Sequence, residues 1–154
     1  MNSLFHAKSK NTYDEYKKYV LTFNKKRMLL TILLVDAFLF AVGTITKNYF
    51  FYIFLVIIPI MEYISTVVPS KKVFYSNKLA VDAELDYDFY ENYFVKTSSA
   101  GTEKVEYTRL LKIVETKTNF YLMIALNQGY MLRKVDMPQG LDDFLRNIDT
   151  KNKR

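Results

Sequence analysis

Two acidic residues lie where acids are costly. Asp36 and Glu62 interrupt runs that are otherwise almost wholly apolar, and carboxyl groups in such company bind protons or cations, or hydrogen-bond to polar neighbours. Asp36 follows Arg27 by nine residues and Glu62 precedes Lys71 by nine. As helices, both runs would then place their acid roughly 13 Å inside a basic anchor. On antiparallel helices the two carboxyls would lie at similar depth and face each other. Both cannot be ionised there, so at least one keeps its proton. The pair has two readings: a proton-linked or cation-binding site, or polar glue between helices or toward a partner subunit.

Other chemistry is scarce. The chain has no cysteine, which removes disulfides, thiol nucleophiles and Cys-ligated zinc or iron-sulfur sites. His6 is the single histidine and lies in an N-terminal stretch expected to be mobile, so one chain can build neither a His metal cluster nor a catalytic triad. No phosphate-binding glycine loop or nucleophile elbow is present. Asp82, Glu84, Asp86 and Asp88 form an acidic row, but along a strand they make a line and not a cage for a divalent cation. A solvated face is expected there, turned away from anionic lipid. Neither catalysis nor a cofactor is expected.

The elements that would hold Asp36 and Glu62 are the two apolar runs. Residues 28–46 (MLLTILLVDAFLFAVGTIT) and 49–68 (YFFYIFLVIIPIMEYISTVV) are each long enough, at about 30 Å as helices, to cross a bilayer. Eleven Leu, Ile, Phe and Val residues in the first run and twelve in the second outweigh a single acid in each. Only Lys47 and Asn48 separate the runs, so two spanning helices must form an antiparallel hairpin. A signal peptide is opposed by the 27 polar residues in front and the second run behind. A soluble hairpin would show a polar face, which neither run has. Pro59 should kink the second helix just before Glu62.

Lys25, Lys26 and Arg27 precede the first run and Lys71 and Lys72 follow the second, against Lys47 alone at the turn. The excess of bases places both termini in the cytoplasm and makes these five residues membrane-surface anchors. Residues 1–27 carry seven bases and two acids. Adjoining an apolar run, that surplus points to anionic lipid headgroups and away from nucleic acid. Within this arm, Thr12-Tyr13-Asp14-Glu15 has the form of a capping box and predicts a helix over about 12–24. Its stripe of Tyr13, Tyr16, Val20 and Phe23 would lie on the membrane or pack under a cytoplasmic domain.

Residues 71–154 read as a β-rich domain. Val81, Ala83, Leu85, Tyr87 and Phe89 alternate with the acidic row, the mark of a half-buried strand over 81–89. Further strands are predicted at 93–97, 103–107, 110–115, 120–126 and 130–134, and an amphipathic helix follows through Leu141, Phe144, Leu145 and Ile148. The expected fold is an α+β membrane protein with three parts: an arm (1–27), a two-helix transmembrane hairpin (28–70), and an antiparallel β half-barrel or sandwich capped by a C-terminal helix (71–154).

The segments VEYTRLLKIVETKTNFYLMI (105–124), MLRKVDM (131–137) and GLDDFLRNI (140–148), set behind such a hairpin, resemble the YcxB-like family of bacterial membrane proteins. The resemblance covers nearly the whole chain. It implies a C-terminal pleckstrin-homology-like domain at the cytoplasmic membrane and no settled activity. Lys134-Val135 departs from the basic segment the resemblance leads one to expect, which weakens a pocket role for Arg133 and Lys134. The expected function is a membrane-anchored interaction or regulatory module that binds a protein partner or its own copies. The alternatives are immunity to a membrane-active peptide, or a transport accessory working through Asp36 and Glu62.

Overall fold

The computed structural model describes the backbone of residues 2–152 and the side chains of residues 2–148. Its elements are β1 (Phe5–Lys10), α1 (Tyr13–Thr46), a 3-10 turn (Tyr49–Ile53), α2 (Phe54–Ser76), β2 (Glu84–Phe89), β3 (Tyr93–Ser98), β4 (Gly101–Glu106), β5 (Lys112–Glu115), β6 (Asn119–Ala125), β7 (Gln128–Arg133) and α3 (Leu141–Asn152). They form two compact units, one of residues 12–81 and the other of residues 1–11 with 82–154.

The helical unit begins where the sequence places it. Thr12 caps α1, its hydroxyl accepting from the backbone N–H of Glu15 at 3.4 Å. The helix then runs unbroken for 34 residues through the expected 27/28 boundary, since no proline or glycine interrupts it before Gly43. Lys47 ends it in a left-handed conformation (φ 52°), its N–H reaching back to the last turn. Helix α2 likewise continues past residue 68 to Ser76, with both Pro59 and Pro69 inside it. The stripe of Tyr13 and Tyr16 finds a third use that composition does not reveal: it packs on α2. The rings of Tyr13 and Tyr16 meet Phe74 at 5.8 and 5.4 Å, and the Tyr13 hydroxyl donates to the carbonyl of Val67 at 3.3 Å. Antiparallel α2 brings apolar side chains to that stripe before any other surface does.

The other unit is two antiparallel sheets, β1-β2-β3-β4 and β5-β6-β7, followed by α3. This is the α+β arrangement expected, with all five later strands and the helix in their predicted places. The first predicted strand starts at Glu84 and not at Val81, because Asp82 turns the chain in a left-handed conformation (φ 53°). Between β3 and β4, Gly101 supplies the positive φ of the turn (124°). Tyr87, Phe89, Phe94, Val105, Phe120 and Leu122 meet in one core, on which α3 lays Leu141, Leu145 and Ile148. The Phe94 ring touches those of Tyr87, Phe89, Tyr107 and Tyr130 at 5.2–6.2 Å.

His6 does not lie in a mobile stretch: residues 5–10 are the edge strand β1, paired with β2 from Phe5↔Phe89 to Lys10↔Glu84. The alternation FHAKSK explains it. Phe5, Ala7 and Ser9 turn toward the core while His6, Lys8 and Lys10 turn outward, and β2 offers an unpaired edge with matching alternation. The chain passes between the units at 11–12 and again at 81–82. Within the β unit these ends are tied, with Asn11 N–H donating to Ala83 O at 2.9 Å and Asp82 N–H to Asn11 O at 3.0 Å. Residues 12–81 are therefore a long connection between two neighbouring strands.

Candidate functional site

In the helical unit, Met28, Thr31, Ile32, Val35, Asp36, Leu39, Val42 and Gly43 are less exposed than the residues between them, a stripe at helical spacing. Leu55, Ile58, Pro59, Glu62, Thr66, Ser70 and Phe74 form the matching stripe on α2. Both acids therefore face the seam between the helices. At its closed end Gly43 permits close approach: a methyl group there would sit 2.8 Å from the Tyr52 ring and 3.3 Å from Phe51 Cβ. The Thr44 and Tyr52 hydroxyls are 3.1 Å apart beside it.

From there the helix contacts run to the open end of the hairpin, where Tyr13 reaches the carbonyl of Val67 and the ring of Phe74. Oδ1 of Asp36 is sealed from solvent and has no hydrogen-bond partner among the described residues.

Lys25, Lys26, Arg27, Lys71 and Lys72 are all exposed, as anchors at a headgroup surface would be. Outside its seam the hairpin is bare. Only 6% of the most apolar stretch of each helix is buried, and Leu33, Phe38, Ile45 and Val56 are 65–81% exposed. A soluble core helix would be covered. Both helices are long and apolar enough to cross a membrane.

In the β unit the acidic row is not a bare face, because β1 lays bases along it. Nδ1 of His6 is 2.8 Å from Oδ1 of Asp88 and its Nε2 is 3.5 Å from Asp86; Lys8 lies 3.4 Å from Asp86 and Lys10 3.7 Å from Asp82. Lys8 and Asp86 are a directly opposed cross-strand charge pair, His6 lies opposite Asp88, and Lys10 reaches Asp82 just before β2. Sequence reasoning missed this ladder, although the alternation in residues 5–10 matches that in 84–89. An open groove of about 520 Å³ runs beside it, lined among others by Ser9, Asp86, Arg133 and Asp136. No group of three acidic or histidine side chains able to hold a metal occurs among the described residues.

Arg133 and Lys134 are engaged in ion pairs. Nε of Arg133 donates to Asp136, and Nζ of Lys134 donates to Glu115. Arg146 of α3 grips Glu115 with two nitrogens, at 3.0 and 2.9 Å, and reaches Asp143 at 2.8 Å. The Arg146 guanidinium and the Lys134 ammonium hold the Glu115 carboxyl down to about 2. This cluster ties α3 to β5 and β7. Burial pushes the phenols of Tyr87 and Tyr107 well above the usual tyrosine range, which marks them as core and not as acid-base groups.

No curated protein and no solved structure matches the chain. The resemblance read from the sequence extends over nearly the whole chain; the family match is narrower, although all three segments that carry the resemblance fall inside it. From the end of β2 into α3, residues 89–148 match the family described as YcxB-like protein, and it is to that family that the strand-rich part of this chain is similar.

Proposed function

We propose that the protein is a membrane-anchored interaction or regulatory module of the cytoplasmic membrane. The hairpin spans the bilayer twice, both termini are cytoplasmic, and the β unit works as a pleckstrin-homology-like docking module at the inner surface. The observation that carries this reading is the apolar surface of α1 and α2, which the chain itself leaves uncovered. Bilayer hydrocarbon is the solvent such surface requires. The distribution of bases supports the orientation, since five of them lie at the open end of the hairpin and Lys47 alone at its turn.

The absence of native cysteine makes the orientation simple to test. Asn48→Cys at the hairpin turn is expected to react with a membrane-impermeant maleimide in intact cells. Ser99→Cys, in the turn after β3, is expected to react only after permeabilisation. The reverse pattern, or equal labelling of both, would refute the topology. For the interaction role, a photo-crosslinker at the exposed Leu126 or Val135 should give a discrete adduct in cells. Its absence at both positions would count against docking through those loops.

A further inference from the structure

The groove beside β1 is short of hydrogen-bond donors. Three bases line it, and each already has an acid: Lys8 lies 3.4 Å from Asp86, Lys10 turns to Asp82 at 3.7 Å, and Arg133 donates to Asp136. Glu84 stands opposite Lys10 in the strand register, yet Lys10 leans away from it to Asp82. The exposed Glu84 carboxylate, also in the groove wall, therefore makes no ion pair among the described residues. One negative charge is left over.

Two buried atoms of the same wall add to the shortage. Ser9 is only 5% exposed, and its hydroxyl has no hydrogen-bond partner among the described residues. The same holds for Oδ1 of Asp86, which Lys8 and His6 approach at 3.4 and 3.5 Å without completing a hydrogen bond. A buried polar atom without a partner costs free energy until something supplies one. The supplier here must be a donor, because a carboxylate oxygen only accepts and a hydroxyl is able to accept.

A neutral donor would meet the two buried atoms and leave the charge of Glu84 unanswered. An ammonium or a guanidinium answers both. The guanidinium carries five N–H groups in a fixed fork, so it reaches several acceptors at once where an ammonium is a point charge. There is room for it: the groove is open and holds about 520 Å³, and Lys8, whose side chain is 78% exposed, can swing aside. We propose that this groove is the docking site for a basic side chain of a partner protein, arginine in preference to lysine, held by Glu84, Asp86 and Ser9. This deepens the docking role proposed above and rests on it.

The test is a chemical-shift titration of the full chain in lipid bicelles, with the blocked tripeptide Ala-Arg-Ala as the probe. Saturable shifts are expected at the backbone amides of Ser9, Glu84 and Asp86. The lysine tripeptide should bind about threefold more weakly, and the citrulline tripeptide, which keeps the shape and loses the charge, should give no response. Glu84→Gln and Ser9→Ala are each expected to weaken binding of the arginine probe about fivefold, and Glu91→Gln, at the other end of β2, to leave it unchanged. No saturable shift in the groove, an equal response to citrulline, or binding unaltered by Glu84→Gln overturns the inference. Such a result beside a discrete crosslinked adduct at Leu126 or Val135 overturns this inference alone, whereas the absence of adducts at both positions counts against the docking reading as well.

Discussion

Glu115 shows how one side chain fastens an element. It lies on β5, yet its carboxylate is held by Lys134 just after β7 and by Arg146 of α3. Its carboxyl sits at about 2 against an ordinary 4.5, so its contribution to stability is complete above about pH 4.5 and fades as the pH falls toward 2. Glu115→Gln should therefore lower the melting temperature at pH 7 and narrow the difference from wild type on acidification. Thermal melts of the detergent-solubilised chain at pH 7 and pH 3 check this; an equal deficit at both would show that charge is not the cause. Arg146, Lys134 and Glu115 are far apart in sequence, and nothing in their local patterns announces the cluster.

At the scale of elements, the pairing of β1 with β2 makes the clearest demand. An opposed charge pair across antiparallel strands is worth only about 0.2–1 kcal/mol, and Lys8 makes one with Asp86, flanked by His6 on Asp88 and by Lys10 reaching Asp82 just before β2. Lys8→Glu places like charges opposite each other at Asp86 and should destabilise the unit by about 1 kcal/mol. Adding Asp86→Lys reverses the pair and should restore most of the loss. Failure of that rescue in urea titrations would show that the ladder is incidental to the register. Other strands needed no such partner to be found: Tyr87 and Phe89 alternate with acidic residues and are buried as that alternation predicts, and β6 is a continuous apolar run buried from Phe120 to Met123.

For the whole molecule, the consequence is that the apolar hairpin is spliced between two adjacent strands of one sheet. The N-terminal strand is thus a structural part of the β unit, and its removal bares the edge of β2. Deleting residues 2–10 should leave the chain in the membrane but make the β unit prone to aggregation and rapid proteolysis. Limited proteolysis of membrane fractions, probed for the C-terminal fragment, checks this outcome. A truncated chain as resistant as wild type would mean that β1 adds little.

By itself the sequence determined the two long apolar helices, their turn at Lys47-Asn48, the α1 cap at Thr12, five of the seven strands within a residue or two, and the C-terminal helix. Each of these follows from local periodicity, caps and turn residues, which are written in consecutive positions. The tertiary structure decided what depends on distant partners: that residues 5–10 complete a sheet with residues 84–89, that the Tyr13 stripe packs on Phe74, and that Glu115 collects Lys134 and Arg146. It also decided how the hairpin closes, with Gly43 close against Tyr52 and Phe51, because helix packing is encoded in no single segment.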